Sequence, residues 1–243
     1  MIDGFKLTAV TLRRNLKVSV YIPDDYYKTG KSLPLCILFD GQYYFKFLNE
    51  EPKLFNMNDL LIKENRQFIV VAPHAPREDM PDWRKSELNP YYQGEMTTVE
   101  PDLALRYANY ITNELIPIIK MKYRITDEIY LMGVEDSAIL SLFMVYSYDI
   151  YKGAIMYYPN LVECNHKVFE DLDIRLDNTK RIYLYQGDVN ESDKESESFY
   201  DLQSTIANAG APLILDYDMG MDNSWDSIKL HMNMGFDMID KKN

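Results

Sequence analysis

Leu16, Val18, Val20 and Ile22 alternate with Lys17, Ser19 and Tyr21. A period of two puts every second side chain on one face of a strand, so residues 16–22 read as a strand with one apolar side. Residues 5–12 read as the strand before it, and Arg13, Arg14 and Asn15 as the turn of a hairpin. Residues 35–39 and 68–72 are apolar throughout, the pattern of strands covered on both faces. Between residues 101 and 123 the period lengthens. Leu103, Tyr107, Tyr110, Ile111, Leu115 and Ile118 form one apolar stripe of a helix, which Pro117 should kink near its end. Further strands are predicted at 129–132, 153–157, 181–185 and 213–217. Helices are predicted just after Gly133, near 164–172, at 196–208 and from Ser224 onward.

Strands that alternate with helices define βαβ units and a mostly parallel sheet. The expected fold is therefore α/β, about eight strands, with an N-terminal antiparallel hairpin at one edge, helices on both faces and no separate cap domain. No linker, repeat or shift of composition divides the chain, so residues 1–243 read as a single domain. Residues 74–98 carry Pro76, Pro81 and Pro90 together with Trp83 and Arg84. They read as a long, ordered, irregular loop, which in a compact domain is commonly functional.

Charge narrows the partners. Lys and Arg number 26 and Asp and Glu 38, a net charge of −12. Such a chain repels a phosphate backbone and an anionic bilayer, so neither nucleic acid nor membrane is an expected partner. The 20 tyrosines are expected mostly in the core and its rim. Cys36 lies in an apolar run and Cys164 far from it; they make neither a metal motif nor a disulfide framework, and no cofactor is expected. The first residues lack the apolar core of a signal peptide, which places the chain in the cytoplasm as an expectation.

Residues 128–145 read EIYLMGVEDSAILSLFMV. A short apolar strand runs through Gly133 into a helical pattern, the layout that carries G-x-S-x-G in an α/β-hydrolase. Other segments add to the likeness: VSVYIPDDYY and LPLCILFDGQYYF, FIVVAPHAPRED with WRKSELNP, YANYITNELIPIIKMKYRI, IYLYQGDVNES and YDMGMDNSWDSI. Over nearly its whole length the chain resembles the esterase D and enterochelin-esterase-like family of α/β-hydrolases. The resemblance implies a serine nucleophile at the elbow, an acid after the seventh strand and a histidine in a Gly-x-His-x-x-Trp segment.

The matching positions hold other residues. Glu135 stands in the serine's place and Ser137 in that of the second glycine. The acid falls among Asp188, Asn190 and Glu191, and the histidine's place falls at Asp222 or Asn223. A serine hydrolase couples hydroxyl, imidazole and carboxylate, and this constellation is degenerate here. His74, His166 and His231 are the histidines of the chain. His231 is expected roughly 10 Å or more along the last helix from the family position. Ser137, two residues past the elbow, is a poor substitute nucleophile. The oxyanion-hole donors implied by the family would be the N–H of Asp136 and the Gly41–Gln42 turn, although the Asp136 charge opposes that role. His74, Trp83, Arg84 and Ser137 are candidates to line the pocket. Glu135, Asp136, Asp188 and Asp222 are expected to converge there, with Glu135 and Asp222 as weak metal ligands.

These residues point to a pseudoenzyme: an esterase-family fold without serine-hydrolase activity that acts as a binding or scaffold protein, its partner a small molecule, a sugar or a protein. Two other readings stay open. One is an active carboxylesterase on small or sugar esters through non-standard residues. The other is a carboxylate-based or metal-binding site around Glu135. Self-association is also left open.

Overall fold

The computed structural model describes residues 2–47, 50–75, 81–92, 102–162, 164, 168–171, 176–187 and 192–240. Its strands are β1 (Ile2–Ala9), β2 (Arg14–Tyr21), β3 (Leu33–Leu38), β4 (Ile69–Pro73), β5 (Ile125–Val134), β6 (Tyr151–Tyr157), β7 (Arg181–Gly187) and β8 (Leu213–Asp218). Among the described residues they form one eight-stranded sheet in the order β1-β2-β4-β3-β5-β6-β7-β8. β1 pairs antiparallel with β2, and β2 antiparallel with β4; every later pairing is parallel. The predicted hairpin, strand count and sheet type match this arrangement.

Why the middle strands are apolar throughout is plain from the two cores. Leu35, Ile37, Ile69, Val71, Ile129, Leu131, Ile182 and Leu184 pack on one face. Their neighbours Cys36, Leu38, Val70, Ala72, Tyr130, Met132, Tyr183 and Tyr185 pack on the other. The first face is covered by α4 (Leu103–Tyr110), α5 (Ile116–Lys122), α6 (Asp136–Ser147) and α7 (Asp193–Asn208). The second is covered by α2 (Met57–Lys63) and α8 (Trp225–Asp237). Tyrosine supplies much of the bulk: Tyr130, Tyr157, Tyr183 and Tyr185 are fully buried beneath α8. The helix lies close enough that a Cβ on Gly235 would stand 2.2 Å from the Tyr157 hydroxyl, so only glycine fits there.

The expected kink at Pro117 takes a particular form. Between α4 and α5, residues Ile111–Leu115 form a π-helical turn, and the Ile116 N–H donates to the Ile111 carbonyl five residues back. Proline lacks an N–H and its ring crowds the carbonyl four residues earlier; widening the preceding turn accommodates both.

The stretch expected to be irregular contains a helix, α3 (Pro81–Leu88). Proline is tolerated at a helix start and an acid such as Asp82 favours the first turn, so the local signal was present beneath the proline count. Residues 76–80 and 93–98 of the same stretch lie outside the described residues, as do 165–167 and 172 of the predicted helix at 164–172, of which 168–171 are helical. Two short helical pieces, α1 (Tyr26–Thr29) and α2, were not anticipated. Among the described residues no helix is long and apolar enough to cross a membrane.

Candidate active-site cleft

β5 ends at Val134 and α6 begins at Asp136, leaving one residue to make the turn. That residue, Glu135, has φ 55° and ψ −120°, a conformation that glycine enters freely and other residues enter at a cost. Hydrogen bonds hold it there. Its N–H donates to the Tyr157 carbonyl at 3.0 Å, and its own carbonyl accepts from the Ala138 N–H at 3.1 Å. Gly133 makes the bend sterically feasible, because a Cβ at that position would stand 2.2 Å from the Ser137 backbone. The Ser137 hydroxyl closes the turn. It accepts from the Val134 N–H at 2.9 Å and donates to the Val134 carbonyl at 2.8 Å.

Above this elbow lies a cleft of about 460 Å³. Tyr43 borders it from the segment after β3, and Arg84 and Lys85 from α3. Residues 158–162, directly after β6, form one wall; Gln186 from β7 and Glu195 and Phe199 from α7 form another. The cleft therefore opens at the C-terminal ends of the parallel strands, where open α/β sheets bind ligands.

The charges around the floor are arranged unevenly. Arg84 reaches both carboxylate oxygens of the buried Asp40, at 3.3 and 2.7 Å. The Asp136 carboxylate, 2 % exposed, accepts from the side-chain amides of Asn89 at 3.2 Å and Asn160 at 3.0 Å. Glu135 opens into the cleft. Among the described residues its carboxylate forms no ion pair and no side-chain hydrogen bond. Its surroundings push its pKa up: enclosure by protein is the largest cause, opposed by Arg84 and reinforced by Asp136 and Asp40.

Several expected site residues stand elsewhere. Ser137 is buried in the elbow and does not border the cleft. Trp83 turns to the core, half-buried; of the aromatic–basic pair, Arg84 alone reaches the cleft. His74 opens onto a different depression with Lys17 and Glu50. There its Nε2 lies 2.9 Å from the Ser19 hydroxyl, but Ser19 is fully buried in β2. This histidine–serine contact is a packing contact remote from the elbow. His231 lies on α8 with Nδ1 2.8 Å from Asp216 and Nε2 3.0 Å from Asp218.

The expected convergence of acids is also corrected. Asp222 accepts from the Ser224 N–H at 3.2 Å and the Ser227 hydroxyl at 2.6 Å, bonds that tie it to the start of α8 and hold its pKa below the ordinary value. Asn223 pairs its amide with Gly187, accepting from the N–H at 2.9 Å and donating to the carbonyl at 3.3 Å. Of the expected acids Asp136 does act on Glu135, and Asp40, which was not expected, joins it. Among the described residues no group of three or more His, Cys, Asp or Glu side chains could hold a metal ion. Asp188, Asn190, Glu191 and His166 lie outside the described residues.

The proposed oxyanion donors sit at two helix starts. Gly41 and Gln42 open a 3₁₀ turn (Gly41–Tyr43) and Asp136 opens α6; the first N–H groups of a helix have no partner within it. The Gln42 side chain turns away from the cleft and accepts from the Ala75 N–H at 2.8 Å. Lining residues that the sequence reading missed include Tyr158, Asn160, Gln186 and Phe199. Their signal was positional, since each lies at or just beyond the C-terminal end of a predicted strand or on the helix that follows.

Strand order, elbow and cleft together define an α/β-hydrolase. The sequence model of the family described as Putative esterase matches residues 9–210, and the chain belongs to that family. No curated protein matches it. Among solved structures it is similar to an IroE-like serine hydrolase from Shewanella oneidensis: TM-score 0.82, 14 % identity, covering 99 % of this chain and 80 % of that one. An S-formylglutathione hydrolase from Agrobacterium tumefaciens aligns with TM-score 0.70 and 13 % identity, covering 100 % and 95 %. The enterobactin esterase of Shigella flexneri aligns with TM-score 0.73 and 12 % identity, covering 98 % of this chain but 59 % of that one. At these identities the likeness is one of fold.

Two outcomes follow from this geometry. Glu135→Gly relieves the positive φ and should stabilise the protein by about 1 kcal/mol, the strain released less the flexibility added to the unfolded chain; urea unfolding measures it. His74 is held neutral in the fold, its pKa lowered to about 4 by burial and by Lys17. The unfolded chain takes up a proton near pH 6.5 and the folded chain does not. Stability should therefore fall by about 2 kcal/mol between pH 7 and pH 5, a component that His74→Asn removes in urea titrations at the two pH values.

Proposed function

We propose that this chain is an esterase-family α/β-hydrolase that holds a small ligand in its cleft without serine-hydrolase chemistry. The observation that carries the reading is Glu135 at the tip of the elbow, with no imidazole bordering the cleft among the described residues. Acyl transfer by a serine hydrolase needs a hydroxyl to attack, a histidine to take its proton and an acid to orient the histidine. A carboxylate that attacked in the serine's place would form an ester or anhydride, and its hydrolysis would still call for a base to activate water. The Asp136 side chain adds a second obstacle, because it lies beside donors that would have to stabilise an oxyanion.

The size of the cleft favours a small molecule over a protein as its occupant, since clefts of several hundred Å³ are typical of small-ligand sites. The retained strain at position 135 supports a site still in use, because strained backbone clusters where a function holds it in place.

Incubation with p-nitrophenyl acetate and butyrate should give release at the uncatalysed background. A fluorophosphonate probe should leave the intact mass unchanged. Turnover that disappears in Glu135→Ala, or a labelled serine found by peptide mass spectrometry, would overturn the proposal.

A further inference from the structure

Resting on the non-hydrolytic reading above, we infer that the ligand of this cleft presents a protonated amine to Glu135 and lays an apolar body along Leu161, Val162 and Phe199. Three features of the cleft lead to this class.

The first is a carboxylate that, among the described residues, makes no ion pair of its own and feels Arg84 only from a distance. Among the described residues, the two cations that act on Glu135 both have partners elsewhere. Arg84 is gripped by the two oxygens of Asp40, and the Lys85 ammonium lies over the Tyr92 ring, 5.6 Å from its centroid. A ligand ammonium would supply Glu135 with a direct ion-pair partner. A ligand carboxylate or phosphate would instead face Glu135 with Asp136 and Asp40 behind it, and like charges in an enclosed site repel strongly.

The second feature is the wall. Tyr43, Tyr158 and Phe199 border the cleft, and aromatic faces attract a cation while also covering an apolar chain. Tyr43 is backed by Trp225, with ring centroids 6.0 Å apart. The Tyr158 hydroxyl donates to Glu195 at 2.7 Å. Both rings are thus fixed before a ligand arrives, which lowers the ordering cost of binding.

The third feature is the division of the cleft. Besides its charged residues at the elbow, the cleft is lined by the apolar Pro159, Leu161, Val162 and Phe199. A ligand charged at one end and apolar along the rest matches both regions. A polyol would leave the apolar lining unmatched, and a hydrocarbon that filled the cleft would desolvate the Glu135 carboxylate without pairing it, which is costly.

The test uses three probes of one shape: 3-phenylpropylamine, 3-phenylpropanol and 3-phenylpropanoate, titrated into the whole protein by calorimetry at pH 8. The amine should bind at least tenfold more tightly than the alcohol, with the carboxylate weakest. Glu135→Gln should cut the amine's affinity at least tenfold and leave the alcohol's unchanged, its thermal melt being compared with that of the parent. The amine–alcohol–carboxylate ranking in the parent protein stands whether or not the variant folds. Equal binding of the three, tighter binding of the carboxylate, no binding by any, or an amine affinity indifferent to Glu135→Gln would each overturn the inference. These outcomes are separable from failure of the wider reading. A serine labelled by the fluorophosphonate defeats the non-hydrolytic proposal, whereas a bound phenylpropanoate with no ester turnover defeats the ligand class alone.

Discussion

A single residue turns the chain from β5 into α6, and the remainder of the site depends on that bend. Position 135 must adopt a backbone conformation unfavourable to any side-chain-bearing residue, so the structure around it has to be over-determined. It is. Gly133 leaves room for the Ser137 backbone, Ser137 clasps Val134 through both its N–H and its carbonyl, and β6 receives the Glu135 N–H. The consequence is that the side chain at 135 is raised into the cleft whatever its chemistry. In a serine hydrolase this device exposes a nucleophile; here it exposes a carboxylate. The change of residue type leaves the mechanics of the turn intact and alters only what is displayed.

The electrostatics follow from that display. Asp40, Asp136 and Glu135 gather within one charged neighbourhood, and the fold satisfies two of them with Arg84 and with the amides of Asn89 and Asn160. The third is left to solvent or to a ligand. Glu135 itself is exposed at the tip of the turn, so its charge is available to whatever enters the cleft. This is the physical content of reading the site as a binding site and not as a catalytic remnant.

Much of this was legible in the sequence. Alternation at Leu16–Ile22 and the all-apolar runs around Cys36 and Val70 identified the strands, and Gly133 followed by a helical pattern located the elbow. The place of a side chain was legible where the backbone dictates it, as at Glu135 on the turn before α6. It was read poorly where side chains choose their own partners across the fold. Asp222 could not be seen from sequence to bond Ser227, nor Asn223 to pair with Gly187, and Trp83 and Arg84, adjacent in the chain, face core and cleft respectively. His74 looked like a cleft residue because it follows a strand. β4 lies on the far side of β3 from the elbow strand, and that order is a property of the whole sheet.

The scaffold keeps the elbow, and among the described residues no imidazole borders the cleft to serve it. Replacing the displayed group tests this directly. Glu135→Ser puts a hydroxyl on the same strained turn, and its p-nitrophenyl butyrate hydrolysis and fluorophosphonate labelling can be compared with those of the parent. The variant should remain at background in both. Rapid labelling at position 135, with ester turnover that rises as a group of histidine-like pKa loses its proton, would reveal a working base and contradict the account.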